Sequence, residues 1–292
     1  MLELQLEPCQ RDEVDQLISA LEETGAVSIS MMDQRDNPIL EPKPGETPLW
    51  DHLVIHALYS DEDDAHDAQT LLSAYHPHLT QTLCTLADLD WERVCLDNFV
   101  PQRFGRRLWV CPSWLTPPEP EQINLILDPG LAFGTGTHPT TSLCLTWLDG
   151  TSVEGETIID YGCGSGILAL AALKLGAHHA YAVDIDEQAL LATQQNATSN
   201  QITTEALTIG HPTILAAPVD TLIANILLSP LLALQNNFHQ LLCPEGRLVV
   251  SGLFASQAHI LIDAYQLSFT HQSTVLQDEW ALLTFLPRNL HQ

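Results

Sequence analysis

The 292 residues include 45% hydrophobic and only 16% charged side chains, a globular balance with enough apolar material for one large core or two smaller ones. The longest apolar runs, such as 167–173 and 226–228, fall far short of the roughly 20 residues that a membrane helix needs. The start MLELQLEPCQRDEV has acidic residues where a secretion signal needs a basic start and an apolar stretch, so a cytoplasmic protein with no membrane partner is expected. Ten basic residues against 37 acidic ones leave a net charge of −27. Such a surface repels phosphate backbones, which argues against direct nucleic-acid binding, and it attracts a strongly basic partner; plain solubility or salt adaptation also accounts for it.

In chain order, 2–7 (LELQLE) alternates apolar and polar residues as a half-buried strand does. Residues 11–23 place Val14, Leu17, Ile18 and Leu21 at helical spacing, and Gly25 closes the segment. A second strand is expected at 26–32 and, after the Pro-rich NPILEPKPGETP, a third at 52–59. Residues 61–75 read as a second helix whose acidic start suits the helix dipole, and 91–97 as a fourth strand. The order β-α-β-β-α-β is that of a ferredoxin-like unit, and residues 1–97 are assigned to it as a substrate-recognition domain.

Residues 98–120 hold Pro101, Pro112, Pro117, Pro118 and Pro120 and a basic cluster of Arg103, Arg106 and Arg107. The stretch is read as a linker. In so acidic a chain the arginines are expected to pair internally with carboxylates, the alternative being a docking role toward a partner or a cofactor carboxylate. From 121 to 292 short apolar strands at 157–161, 180–184, 207–209, 221–225 and 247–251 alternate with helical segments at 167–175, 187–200 and 230–242. That alternation predicts a doubly wound parallel sheet with helices on both faces. The last two strands, 268–276 and 279–286, are separated by a tight turn and should be antiparallel.

The seven cysteines show no CxxC spacing, and their odd number does not suit a disulfide framework, so reduced thiols are expected. Of the 13 histidines, neither His76/His78 nor His178/His179 has Cys or carboxylate partners at metal-ligand spacing, so no metal is expected.

Residues 160–166, DYGCGSG, run from a strand through three alternating glycines into a helix. Glycines there let the chain turn sharply and let a ligand approach the backbone, beside the free N–H groups of a helix start; the same pattern also serves a plain strand–helix turn. The next strand ends in Asp184, a carboxylate placed to accept the ribose hydroxyls of an adenosine cofactor. A dinucleotide site would show GxGxxG with room for a pyrophosphate, whereas GCGSGI has the methyltransferase form. Asn225 ends the fourth strand, beside the crevice where open α/β sheets bind ligands. Its carbonyl oxygen suits an accepting amine, although an Asn there also caps helices. Ile226 and Leu227 follow it, where enzymes acting on nucleobases carry stacking groups.

The Gly/Thr-rich loop at 128–141, DPGLAFGTGTHPTT, follows no composition rule. Together with NFVPQRFGRRLWVCPSW, IIDYGCGSGILALAALKLGA, VDIDEQAL and ANIL it resembles the family that methylates large-subunit ribosomal protein eleven, over about residues 91–265. The resemblance implies a class I methyltransferase (Rossmann-like) sheet ending in an antiparallel hairpin, and S-adenosylmethionine as cofactor. Thr141, Gly162, Asp184 and Asn225 would contact that cofactor, with Gly164 and Phe133 beside it, and Asn225 would also be the catalytic residue. The substrate implied is a basic ribosomal protein methylated on lysine side chains, with its N-terminal amine a further candidate, and the enzyme is expected to be a monomer. The stretch 201–219 departs from the family pattern, which bears on the adenine side of the site. His138 and Asp128 are candidate proton acceptors; no dedicated base stands out. An enzyme for another amine, or a cofactor-binding protein without catalysis, are the competing readings.

Overall fold

The computed structural model describes residues 1–35, 39, 45–86, 99–128 and 136–289. The chain folds as two compact units, 1–94 and 95–292.

In the first unit β1 (Leu2–Gln10), α1 (Val14–Glu23), β2 (Ser28–Asp33), β3 (His52–Tyr59), α2 (Glu62–Tyr75) and β4 (Thr80–Thr85) follow one another. The sheet order is β2-β3-β1-β4, with every neighbouring pair antiparallel. Alternation decides the buried face: Leu4 and Leu6 of β1 and Leu53, Ile55, Ala57 and Tyr59 of β3 are fully buried. They pack on Val14, Leu17 and Leu21 of α1 and Ala65, Ala68 and Leu72 of α2. Asp61 starts α2 by accepting the Asp63 N–H at 2.8 Å, as an N-cap residue should. The expected strand at 91–97 lies outside the described residues. The strand beside β1 is 80–85, which the sequence pattern did not announce, because TQTLCT is a largely exposed edge with Thr at three of its six positions.

The second unit begins with a small sheet of β5 (Gln102–Phe104), β6 (Leu108–Cys111) and β7 (Ile123–Ile126). Two of these strands lie within the stretch read as a linker. Two of the arginines of that stretch, Arg103 and Arg107, pair internally with carboxylates. Arg107 Nε reaches Asp149 Oδ1 at 3.3 Å and Arg103 lies 3.8 Å from Glu119. Arg106 presents its backbone N–H to Asp149 at 2.6 Å. Then come α3 (Pro139–Gly150), β8 (Thr157–Tyr161), α4 (Ile167–Lys174), β9 (His179–Val183), α5 (Glu187–Ser199), β10 (Leu207–Gly210), β11 (Val219–Asn225), α6 (Leu228–Gln240), β12 (Leu242–Phe254), α7 (Ala258–Tyr265), β13 (Phe269–Gln277) and β14 (Trp280–Pro287). Helices α3 and α7 were not anticipated. The reading of 128–141 as a loop overlaps the start of α3, where Pro139 occupies the first turn and His138 caps it.

The seven-stranded sheet has the order β10-β9-β8-β11-β12-β14-β13. Strands β8 to β12 pair in parallel, and the hairpin β13–β14 returns antiparallel with β14 inserted against β12. Successive residues feed opposite faces. Ile158, Ile223, Val249 and Leu282 join the core under α3 and α4. Ile159, Leu222, Val250 and Leu283 join the core under α6 and α7. A sheet covered on both faces explains why these strands read as continuous apolar runs.

Candidate active site

Strand order reverses between β8 and β11, and a crevice opens there beyond the strand ends. Its cavity of about 430 Å³ is lined by Thr141, Asp160, Gly162, Gly164, Asp184 and Asn225 together with apolar side chains, among them Ile185, Pro212, Ile226 and Leu234. Five of the expected site residues, Thr141, Gly162, Gly164, Asp184 and Asn225, thus meet in one place. Phe133 lies outside the described residues.

The glycine turn is held by its backbone. Gly162 and Cys163 N–H both donate to Val183 O, at 2.8 and 3.0 Å, which ties the end of β8 to the end of β9. Gly162, Gly164 and Gly166 have φ of 76°, 54° and 77°, the left-handed region that glycine enters without a side-chain penalty. Space is short as well. A Cβ on Gly162 would lie 2.4 Å from Ile226 Cγ2, and one on Gly252 (φ 87°) would lie 2.4 Å from Ile226 O. Ile226 therefore fits only because both neighbours lack side chains. Across the turn, Thr193 Oγ1 donates to Gly164 O at 3.0 Å and Asn196 Nδ2 to Ser165 O at 2.9 Å.

Asp184, just past β9, is half-buried. Its Oδ2 accepts the Gly164 N–H and its Oδ1 the Asp186 N–H, each at 3.0 Å, so one carboxylate fixes both the glycine turn and the start of the next loop. Asn225, at the end of β11, donates from Nδ2 to Thr141 Oγ1 at 3.3 Å. Thr141 lies in the first turn of α3 and is 1% exposed. With Nδ2 so engaged, Asn225 Oδ1 is buried and has no partner among the described residues.

Asp160, the first residue of the glycine motif, has a role that its place in the sequence does not announce. It is 1% exposed; Oδ2 accepts the Ala169 N–H at 3.0 Å, while Oδ1 has no partner among the described residues. Burial, with the nearby Asp184 charge adding to it, pushes its carboxyl up to about 8, against the pull of the Ala169 N–H. A folded pKa raised above the unfolded one gives stability that is present at acid pH and lost as pH rises through the folded value. The ligand-free chain should therefore lose thermal stability from about pH 4 to about pH 8, with no further loss from this group above that, and Asp160→Asn should flatten that decline; an identical decline in the variant would remove Asp160 as its cause.

The two candidate proton acceptors stand elsewhere. Asp128 accepts the Ser113 N–H at 2.7 Å and its hydroxyl at 2.8 Å, which commits it to a turn. His138 caps α3 and packs edge-on against Trp280 with ring centroids 4.7 Å apart; neither lines the cavity. The residues that sequence reasoning missed, Asp160 aside, are the apolar walls. Pro212 comes from the stretch 201–219 that departs from the family pattern, and no local signal marks it for this role.

A parallel sheet ended by an inserted antiparallel hairpin, with a glycine turn, a carboxylate one strand on and buried acceptors at the reversal point, defines a class I methyltransferase that uses S-adenosylmethionine. Comparison with known proteins narrows the class. A family model described as ribosomal protein L11 methyltransferase (PrmA) matches residues 1–287. The chain is 56% identical to the ribosomal protein L11 methyltransferase of Legionella pneumophila (strain Lens) over 283 residues, covering 97% of this chain and 98% of that one. It is 48% identical to the one from Nitrosococcus oceani, covering 93% and 94%. A crystal structure of a ribosomal protein L11 methylase from Lactobacillus delbrueckii subsp. bulgaricus superposes with a TM-score of 0.60 at 31% identity, covering 65% of this chain and all of that one. The chain belongs to the ribosomal protein L11 methyltransferase family.

Proposed function

We propose that the chain methylates amines of ribosomal protein L11, on lysine side chains and with the N-terminal amine as a further acceptor, and that Asn225 presents the amine. The observation that carries the reading is Asn225 Oδ1, a buried acceptor on the cavity wall without a partner among the described residues. A buried acceptor left unpaired costs about 1–3 kcal/mol, and an amine N–H is the group that repays it.

The residues present fit S-adenosylmethionine. Asp184 faces the place of a ribose, the unpaired Asp160 Oδ1 suits an ammonium group, and the bare backbone of Gly162 and Gly164 admits a ligand closely. When bound, the cofactor supplies an electrophilic methyl on a positive sulfur. The chain's own work is to present the amine neutral and aligned. A lysine has an ordinary pKa near 10.4, so deprotonation at pH 7 costs about 4.6 kcal/mol. Ile226, Pro230 and Leu234 on the wall disfavour the charged ammonium through desolvation. Asn225 Oδ1 then accepts one N–H and aims the lone pair, Thr141 holds the amide's rotamer, and the released proton leaves to water.

The first unit is read as a ferredoxin-like domain that recognises the substrate, a reading supported by its β2-β3-β1-β4 sheet between β-α-β-β-α-β connections. The stretch 98–120, expected as a linker to a methyltransferase domain at 121–292, contributes two strands to the second unit. The −27 charge favours encounter with a basic ribosomal protein at a rate that falls with salt, and it disfavours direct nucleic-acid binding. Among the described residues no helix is long and apolar enough to cross a membrane; the reading is of a monomer acting in the cytoplasm. Incubation with methyl-labelled cofactor and total ribosomal proteins should label one dominant band, L11. Labelling spread over many proteins, or confined to another, refutes the substrate, and undiminished labelling after deletion of residues 1–95 refutes the recognition role.

A further inference from the structure

In the sequence His76 and His78 have no carboxylate at ligand spacing. The fold of the first unit supplies one. Glu13 closes the short 3-10 turn ahead of α1, and its Oε1 lies 2.9 Å from His78 Nε2. His76 stands beside them, so that one ligand atom from each of Glu13, His76 and His78 lies within 4.8 Å of the others. We propose that these three side chains form a binding site for a divalent transition metal, zinc foremost.

The donor set selects the metal. Two imidazoles and a carboxylate suit zinc, with cobalt, nickel and copper as competitors, and they do not suit calcium or magnesium, which take oxygen ligands. Tetrahedral zinc with bonds of about 2.0–2.1 Å sets its donors about 3.3 Å apart, within the span the three atoms already cover. His78 is half exposed and Glu13 about a quarter, which leaves the fourth position open to water or an outside ligand, as in sites with three protein ligands.

The backbone around the cluster is fixed, and that separates it from a chance meeting of mobile side chains. Pro77 joins the two histidines with its restricted φ. The turn is closed by Leu79 N–H donating to His76 O at 3.1 Å, and it is tied to α2 by His76 N–H donating to Leu72 O at 2.7 Å. Leu72 and Leu79 are both buried in the core of this unit. On the other side Glu13 is oriented by the Gln10 N–H, which donates to its Oε2 at 3.3 Å, and Val14 next to it is buried. Oε1 is thereby left for the histidines. A bound ion would clamp the start of α1 to the end of α2, joining two turns far apart in sequence.

Titration of the chelator-treated full chain with zinc chloride should show one equivalent bound at this site. Glu13→Gln, which keeps the acceptor for Gln10, and His78→Ala at an exposed position should each weaken that binding by at least about tenfold. His66→Ala, on an exposed stretch of α2, should leave it unchanged. In the wild-type chain the ring signals of His76 and His78 should shift on zinc addition. Failure of the wild-type chain to take up zinc overturns the site, as does binding of equal affinity in the Glu13→Gln and His78→Ala chains.

Discussion

Asn225→Ala is expected to lower kcat about 10²-fold or more, the usual consequence of misplacing a reacting group by about an ångström, while cofactor affinity stays within a few-fold. The expectation follows from how the amide is spent. Its Nδ2 is occupied by Thr141 Oγ1, so its Oδ1 is the part left to act, and that atom is buried and without a partner among the described residues. An interaction made mainly as the amine is aligned appears in kcat and little in ground-state binding. Single-turnover kinetics on L11, paired with calorimetric titration of S-adenosylhomocysteine, separates the two. A variant with unchanged kcat would falsify the role of Asn225, and a chain that loses binding in step with rate would make it a cofactor ligand instead.

Asp184→Ala should produce the opposite split. The carboxylate accepts two backbone N–H groups at 3.0 Å, from Gly164 and Asp186, and bonds to a charged acceptor are worth about 1.5–3 kcal/mol. Loss of that hold loosens the glycine turn and removes the acceptor for the ribose, so cofactor binding should weaken by roughly 10–150-fold. Much of the rate should return at high cofactor concentration, since the amine-presenting group is untouched. Titration of S-adenosylhomocysteine, with kcat at saturation as the second readout, tests this; binding as tight as in the wild type would remove Asp184 from the cofactor site.

Much of the methyltransferase sheet was legible because its signals are local. Residues 160–166 announce a strand, a turn and a helix within a few residues, and Asp184 and Asn225 each end an apolar strand where the topology places them beside the crevice. The missed elements lacked such signals. Strand β4 is an exposed edge with Thr at three of its six positions and little apolar content, and α3 starts in the Gly/Thr-rich stretch that reads as loop until His138 and Pro139 are seen as cap and first turn. Contacts across long separations were invisible on principle. Thr141 holds Asn225 from 84 residues away, and Glu13 reaches His78 between different elements. No window of sequence contains either pair. Asp160 was passed over for a different reason: its motif shows it as strand residue and turn partner, whereas its raised pKa is a property of the burial around it.

The wall at Ile226 is defined by what its neighbours omit. Gly162, in the turn after β8, and Gly252, in β12, flank it, and a methyl at either position would intrude on Ile226, on the side chain from one direction and on the main chain from the other. The three positions therefore behave as a single quantity of volume distributed over three places in the chain. Trimming residue 226 frees room on the Gly162 side but none at Gly252, where the obstacle is peptide rather than side chain. Divergence of the pocket toward other amines thus runs through 226 alone: a side chain at 162 is opposed by its φ of 76° whatever the space, and one at 252 by its φ of 87° and by the peptide of Ile226.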